Sequence, residues 1–432
     1  MNRTSPLVGR ALVVVALCFL TIAVDGYNLI VYGATVPSLL NEPGWHLSPA
    51  AAGAIGSWAL AGLMAGLLGA GALADRIGRR NLLLAGALWL SVGSLFCALA
   101  ASPEMLGLAR FFTGIGIGAV VPCSVALTIE YAPGRHRQLY SALALTGYAV
   151  GGVVCSLLAI ALLQSHGWRI LYGCGALYIL VLPILYALLP ESVSYLLERG
   201  CIEEARNLAA RYSVDFERIL ADHEAHGRSH ATAAGARGYR QLLSGEFRGQ
   251  ALLFAMMAFC GQLVVYGLNA WLPQLMRKLG YPLGSSLQFL LVMQFGAVAG
   301  SVFGSWIADR AGPKWALIPL LLTCTLSLFA LSQRLDHGWL MLAVFGAGLG
   351  SIGSTTLGYG YIAAYFPTTC RSSAIGATQG VGRIGSILGP MVGGWVLGSG
   401  LGVQWNFYAF AVPTVLAVGI VALLPSIRSA TA

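Results

Sequence analysis

Apolar residues run along this chain in long stretches, with polar residues gathered in the gaps between them. About 20 consecutive apolar residues carry a helix across the hydrocarbon core of a bilayer. Twelve stretches reach that length, near residues 11–38, 51–74, 82–101, 105–130, 139–163, 169–190, 250–275, 286–308, 315–333, 339–364, 373–398 and 405–425. The pattern predicts twelve transmembrane helices. The first is expected to be retained and not cleaved as a signal peptide. Asp25 interrupts it, no small-residue cleavage site follows, and it continues through Tyr32 to Pro37.

The basic residues orient these spans. With the N-terminus placed inside, 19 of the 25 Lys and Arg residues fall in inner segments or the central loop, including Arg76, Arg79, Arg80, Arg137, Arg310 and Arg371. Outer loops hold only Arg169, Arg277, Lys278 and Arg334, and Arg110 and Arg383 fall inside spans. Cytoplasmic loops of membrane proteins carry such an excess of Lys and Arg, so both termini and the central loop are expected in the cytoplasm. The net charge of +9 is then a matter of topology, and no nucleic-acid partner is expected.

Composition agrees. Hydrophobic residues make up 57% of the chain and charged residues 9%, against about 25% charged in soluble domains. The 56 glycines suit closely approaching membrane helices. Most of the nine cysteines, such as Cys18, Cys97, Cys123, Cys155, Cys260 and Cys324, sit in apolar segments without a C-x-x-C pair and read as packing residues. Residues 191–248 form the one long polar stretch, which divides the chain into bundles at 1–190 and 249–432. Within it, residues 198–220 mix charges and apolar residues at helical spacing, which predicts one or two amphipathic helices on the membrane surface. His223, His226 and His230 have a spacing a metal could use, but no cysteine or carboxylate cluster joins them, so no metal is expected.

The halves repeat. Asp75-Arg76 and Asp309-Arg310 lie 234 positions apart, and so do Tyr131, Pro133 and Arg137 from Tyr365, Pro367 and Arg371. Tyr32-Gly33 with Tyr266-Gly267, and Gly151 with Gly385, keep the same offset. This predicts six helices duplicated, with a substrate path between the halves and alternating access by rocking.

The turn after the second span, Gly71-Ala-Leu-Ala-Asp75-Arg76-Ile-Gly78-Arg79-Arg80, closely resembles the signature loop of the major facilitator superfamily, and Asp309-Arg310-Ala-Gly312-Pro-Lys314 resembles its degenerate second copy. Arg110-Phe-Phe-Thr-Gly114-Ile-Gly-Ile-Gly118 resembles the fourth-helix motif of proton-coupled members, and Pro190-Glu191-Ser192 also fits. The resemblance spans essentially the whole chain and implies a twelve-transmembrane-helix major facilitator fold of two six-helix bundles. Asp25-Gly26-Tyr27-Asn28, followed by Tyr32-Gly33 and Pro37, resembles the first helix of the aromatic acid/proton symporters, in particular the benzoate-type branch. Arg371-Ser-Ser-Ala-Ile-Gly376 and Gly382-Arg383-Ile-Gly385-Ser-Ile-Leu-Gly389-Pro390 agree. The family's first-helix motif has a second acid where this chain has Asn28.

Charged residues inside spans are costly and mark pathways. Arg383, near the midplane, is the expected ligand of a substrate carboxylate, because a guanidinium keeps its charge and offers a planar fork. Asp25 is the expected proton carrier, with Arg110 assisting proton release or pairing with Asp25 structurally. Tyr27, Asn28, Tyr32, Tyr266, Asn269, Tyr359 and Gln379 are expected to line the ring slot. Asp75, Arg76, Arg79, Arg80, Glu130, Arg137, Asp309, Arg310 and Arg371 are expected to form a cytoplasmic latch that holds the outward-open state. No nucleophile–base pair or phosphate loop points to an enzyme. The expected function is proton-coupled import of an aromatic carboxylate such as benzoate or hydroxybenzoate, by a monomer in the bacterial inner membrane, driven by the proton gradient without a cofactor. The alternatives are a carrier of another organic acid (muconate-like) or of a sugar, and a drug exporter.

Overall fold

The structure is a computed structural model that describes residues 6–426 apart from 133–136, 213, 222, 224–238, 243–246, 334 and 368; the side chains of 6–10, 137–139, 141 and 142 are also outside the description. Among the described residues there are twelve long helices: α1 (Pro6–Leu39), α2 (Pro49–Ile77), α3 (Arg79–Ala98), α4 (Pro103–Tyr131), α5 (Arg137–His166), α6 (Arg169–Leu188), α7 (Arg248–Lys278), α8 (Leu283–Ala311), α9 (Pro313–Leu331), α10 (His337–Tyr365), α11 (Arg371–Gly398) and α12 (Gln404–Leu423). A tighter 3-10 stretch, Leu177–Val181, interrupts α6. The helices match the twelve expected stretches. Eleven are long and apolar enough on their own to cross a bilayer. The exception is α11, whose apolar run is broken by Gln379, Arg383 and many glycines. The chain is a multi-pass membrane protein.

The duplication extends into the packing. In the first half α1 packs on α5, α2 on α4, α3 on α4 and α3 on α6; in the second, α7 packs on α11, α8 on α10, α9 on α10 and α9 on α12. Each second pair is the first shifted by six helices. The match reaches individual atoms where helices cross. A Cβ on Gly62 would collide with the Phe111 carbonyl oxygen, and a Cβ on Gly296 with that of Phe345. Likewise Gly114 faces the carbonyl of Ala59, and Gly348 that of Met293. All four correspondences keep the 234-residue offset. Only a residue without a side chain lets membrane helices approach so closely.

The sharp turns repeat as well. Gly78 (φ +94°) separates α2 from α3, and Gly312 (φ +90°) separates α8 from α9. Both lie in the left-handed region that glycine alone enters readily. These turns lie at the end of the bundle that also holds the α4–α5 and α10–α11 connections, here termed the basic end.

The halves meet along three seams, α1 with α7, α2 with α11, and α5 with α8. Gly33 backs onto the Asn269 carbonyl, Gly53 onto that of Pro390, and Gly394 onto that of Pro49. Ser57 donates to the Ile387 carbonyl, and Arg277 to that of Pro37. These contacts lie toward the opposite, charge-poor end, so the halves are closed together there.

One expectation is corrected in the central segment. The helices Val193–Glu198 and Ile202–Tyr212 turn their apolar faces onto protein and not onto lipid. Val193, Leu196, Leu197, Ala205 and Ala209 are buried in a cluster with Val14, Leu83 and Tyr131. The apolar face is satisfied by the basic end of the first half, which removes it from water without lipid. His226 and His230 lie outside the described residues.

Candidate functional site

Helical phase decides which side chains of α1 meet the other half. At about 100° per residue, Tyr32 stands within about 20° of Asp25, while Tyr27 points about 160° away. Tyr27 donates from its hydroxyl to the Leu171 carbonyl of α6 at 2.7 Å. Asn28 accepts a 2.6 Å hydrogen bond from Ser94 of α3 and donates to the Val24 carbonyl at 2.9 Å. Both were expected in the ring slot. Both instead face the interior of the first half, so the exchange of acid for amide at Asn28 falls outside the central site.

Tyr32 does face the seam. Its hydroxyl donates to the Ala52 carbonyl, and its ring passes Gly56, where a Cβ would sit 2.8 Å from Cε1. The Arg110 guanidinium of α4 lies over this ring, 4.5 Å from its centre, and reaches the Tyr172 hydroxyl at 3.5 Å. Arg110 is 4% exposed, and its Nε has no hydrogen-bond partner. The alternative reading, a structural pair with Asp25, is not made. Among the described residues the two ion pairs are Arg79–Glu130 and Arg169–Glu42.

A small cavity lies between the halves, lined by Leu29, Tyr32, Gly56, Leu60 and Arg110 from one side and Tyr266, Asn269, Ala270 and Pro390 from the other. Its volume is about 20 Å³, room for about one water. Arg110 thus lines the cavity itself, the place expected for Arg383. Arg383 stands directly behind the wall, donating to the Tyr266 hydroxyl at 3.3 Å, with its own Nε buried and unpartnered. Asn269 ties its amide nitrogen to the Val265 carbonyl at 2.8 Å and leaves its side-chain oxygen unpartnered.

Asp25 is 4% exposed, with one carboxylate oxygen lacking any hydrogen-bond partner. Arg383 is the cation whose field reaches it, across more than ion-pair distance. Tyr148 of α5 is set among Tyr266, Asp25 and Arg383, and its buried hydroxyl makes no well-formed hydrogen bond. Deeper in the second half, Gln262 donates to the Tyr359 hydroxyl at 2.7 Å and Tyr359 donates to Gln379 at 3.0 Å, as a polar chain. Tyr148, Gln262 and Gln294 were not among the expected site residues. Gln294 is fully buried against Gly152 with its amide unpartnered. The glutamines were detectable as polar residues inside apolar runs; Tyr148 had no such mark.

The expected latch residues divide. Glu130 pairs with Arg79 at 2.6 Å and accepts from Ser192 and the Val193 amide, so it anchors the segment after α6 within one half. Glu191 accepts from the Arg80 amide at 2.9 Å at the start of α3, and Arg80 reaches the Tyr186 carbonyl at 2.6 Å. The Arg76 carbonyl accepts from Arg199 and Tyr195. Arg371 donates to the Phe366 carbonyl at 3.2 Å, and Arg310 covers the Trp306 ring at 3.7 Å. Asp75 and Asp309 are exposed and form no ion pair among the described residues. The Arg137 side chain lies outside the described residues.

The family model described as Major Facilitator Superfamily matches residues 18–334 and 290–431. The chain is 32% identical to the benzoate transport protein of Acinetobacter baylyi, over 95% of this chain and 89% of that protein. It is 34% identical to the gallate transporter of Pseudomonas putida, over 94% of this chain and 90% of that protein. Its fold is similar to the inward-open xylose transporter XylE from E. coli, with a TM-score of 0.77 at 17% identity, covering 98% of each chain.

Proposed function

The chain belongs to the major facilitator superfamily, and on that footing we propose that it is a proton-coupled symporter importing an aromatic carboxylate such as benzoate or a hydroxybenzoate. One observation carries the reading: two arginines, the buried Arg110 from one half and the half-buried Arg383 from the other, flank the cavity without a carboxylate partner among the described residues. A lone guanidinium within a membrane is costly until an anion joins it. A carboxylate takes two charge-assisted bonds from such forks. Tyr32 and Tyr266 on opposite walls supply faces for an aromatic ring. The relatives named for benzoate and gallate transport support this substrate class.

Asp25 carries the proton. Ionised, its carboxylate competes with the substrate for the field of Arg383; protonated, it releases Arg383 to the substrate. Proton and anion therefore load together and leave together. A ring needs more room than the present cavity gives, so loading requires the halves to part.

The basic end faces the cytoplasm and both termini lie there, in the bacterial inner membrane, since that end carries the excess of Lys and Arg. The contacts between the halves then close the outer side. Asp75 and Asp309, unpaired here, engage when the inner ends converge in the outward-open state. The protein acts as a monomer, and the proton gradient is its energy source, with no cofactor.

The test is uptake of labelled benzoate into proteoliposomes under an imposed pH gradient, acid outside. Accumulation that a protonophore abolishes is expected. Mere equilibration, or competition by glucose but not by 4-hydroxybenzoate, would refute the reading.

A further inference from the structure

A second pocket lies on the charge-poor end, over the α1–α7 seam, and plays no part in the central site. Leu40, Leu47 and Leu397 supply apolar walls, and Gln274, Arg277 and Lys278 supply polar ones. Its volume is about 380 Å³, far larger than the central cavity.

Its charge is unusual for its place. The charge-poor end has few cations, and one of them, Arg169, is neutralised by Glu42 at 2.6 Å. Arg277 and Lys278 stand together on this pocket with no acidic partner among the described residues. Cations on the outer side work against positive-inside topology, so two unneutralised ones in one mouth call for a reason. The Gln274 side-chain oxygen is buried in the same wall without a hydrogen-bond partner. Apolar walls, two cations and an open acceptor suit an aromatic acid with a ring hydroxyl.

Arg277 also holds the halves together. It donates from the end of α7 to the Pro37 carbonyl in the last turn of α1, at 3.3 Å. A carboxylate is the stronger acceptor for a guanidinium, because charge-assisted bonds are about twice as strong as those to neutral carbonyls. An anion in this pocket therefore draws Arg277 away from Pro37.

We infer that this pocket is an entry site, where Arg277 and Lys278 capture an aromatic carboxylate from outside and where capture withdraws Arg277 from Pro37 and loosens the α1–α7 seam. The inference rests on the proposed transport reading and its topology. Cationic mouths raise encounter rates by about tenfold or more, and the gain falls with salt.

The test is the initial rate of labelled benzoate uptake by right-side-out vesicles, at substrate far below and far above half-saturation. Lys278→Gln, which breaks no bond between the halves, and Arg277→Gln/Lys278→Gln are compared with the unaltered chain. At low substrate the double variant is expected to lose about tenfold in rate, with a much smaller loss at saturation. Added salt should slow the unaltered chain and leave the double variant unmoved. Unchanged low-substrate rates and unchanged salt dependence overturn the inference. Labelling of Lys278→Cys by an impermeant maleimide in intact cells is expected, and its absence also overturns it. If the unaltered chain carries no benzoate, the transport reading fails separately. Benzoate binding to purified protein then decides: binding lost in the double variant but kept in Arg383→Gln supports the entry site, and binding kept in the double variant removes it.

Discussion

Arg383 donates to the hydroxyl of Tyr266 at 3.3 Å, and Tyr266 is the wall through which Arg383 meets the cavity that Arg110 lines from the other half. One tyrosine thus stands between two guanidiniums that belong to different halves. An anion held by both links the halves, which gives substrate occupancy a direct handle on their relative position.

Arg110→Gln and Arg383→Gln should each reduce uptake by roughly 30-fold or more, the loss expected when a buried charge-assisted contact of about 2–5 kcal/mol disappears. Arg110→Gln should also raise the melting temperature of the substrate-free protein, because it removes a buried cation without a counterion. A variant that melts lower and still takes up benzoate would assign Arg110 to structure alone.

Asp25→Asn fixes the site in an uncharged state. It should keep exchange of labelled for unlabelled benzoate across vesicles and lose accumulation under a pH gradient. Gradient-driven accumulation equal to that of the unaltered chain would move the proton to another group.

Asn28→Ala removes the acceptor for Ser94 but touches nothing at the central cavity. It should lower stability by about 1 kcal/mol and shift the half-saturating benzoate concentration less than about threefold. A tenfold shift without a change in melting temperature would return Asn28 to the binding site.

Gly114→Ala and Gly348→Ala drive a Cβ into equivalent carbonyls in the two halves, and each should cost about 1–3 kcal/mol or more. Gly69, in α2, has open space around it, so Gly69→Ala should be neutral or slightly stabilising. Thermal melts of the three variants in detergent test the helix crossings directly. Equal melting points would deny the close approach.

Glu42 lies in the α1–α2 connection. Burial pushes its carboxyl up, but hydrogen bonds from Arg169 and Trp168 outweigh this and hold it below the usual carboxylate range. Its folded value is the lower one, so its contribution is present above the unfolded carboxylate value and is lost as pH falls through the folded one. Glu42→Gln should therefore lower stability at pH 7 by up to about 1 kcal/mol and by less near pH 3. Melting curves at the two pH values check the sign.

Much of the molecule was legible in the chain itself. Twelve spans follow from apolar run length, because a bilayer demands about 20 residues whatever their identity. The duplication follows from the 234-residue offset, and Asp25, Arg110 and Arg383 stand out because charge inside lipid needs a reason. Even α11, the span that falls short of sufficient apolarity, does so around Arg383.

What the chain alone left open was direction. Tyr27 and Tyr32 have the same chemistry and lie about 1.4 turns apart, yet one binds the α6 backbone and the other lines the cavity. Arg110 sits over Tyr32 and not beside Asp25, and the amphipathic segment after α6 packs on protein and not on lipid. Run length and charge are properties of one segment and can be read there. Which face of a helix meets which neighbour depends on where other helices cross it, and those crossings are set by glycines and carbonyls far away in the sequence.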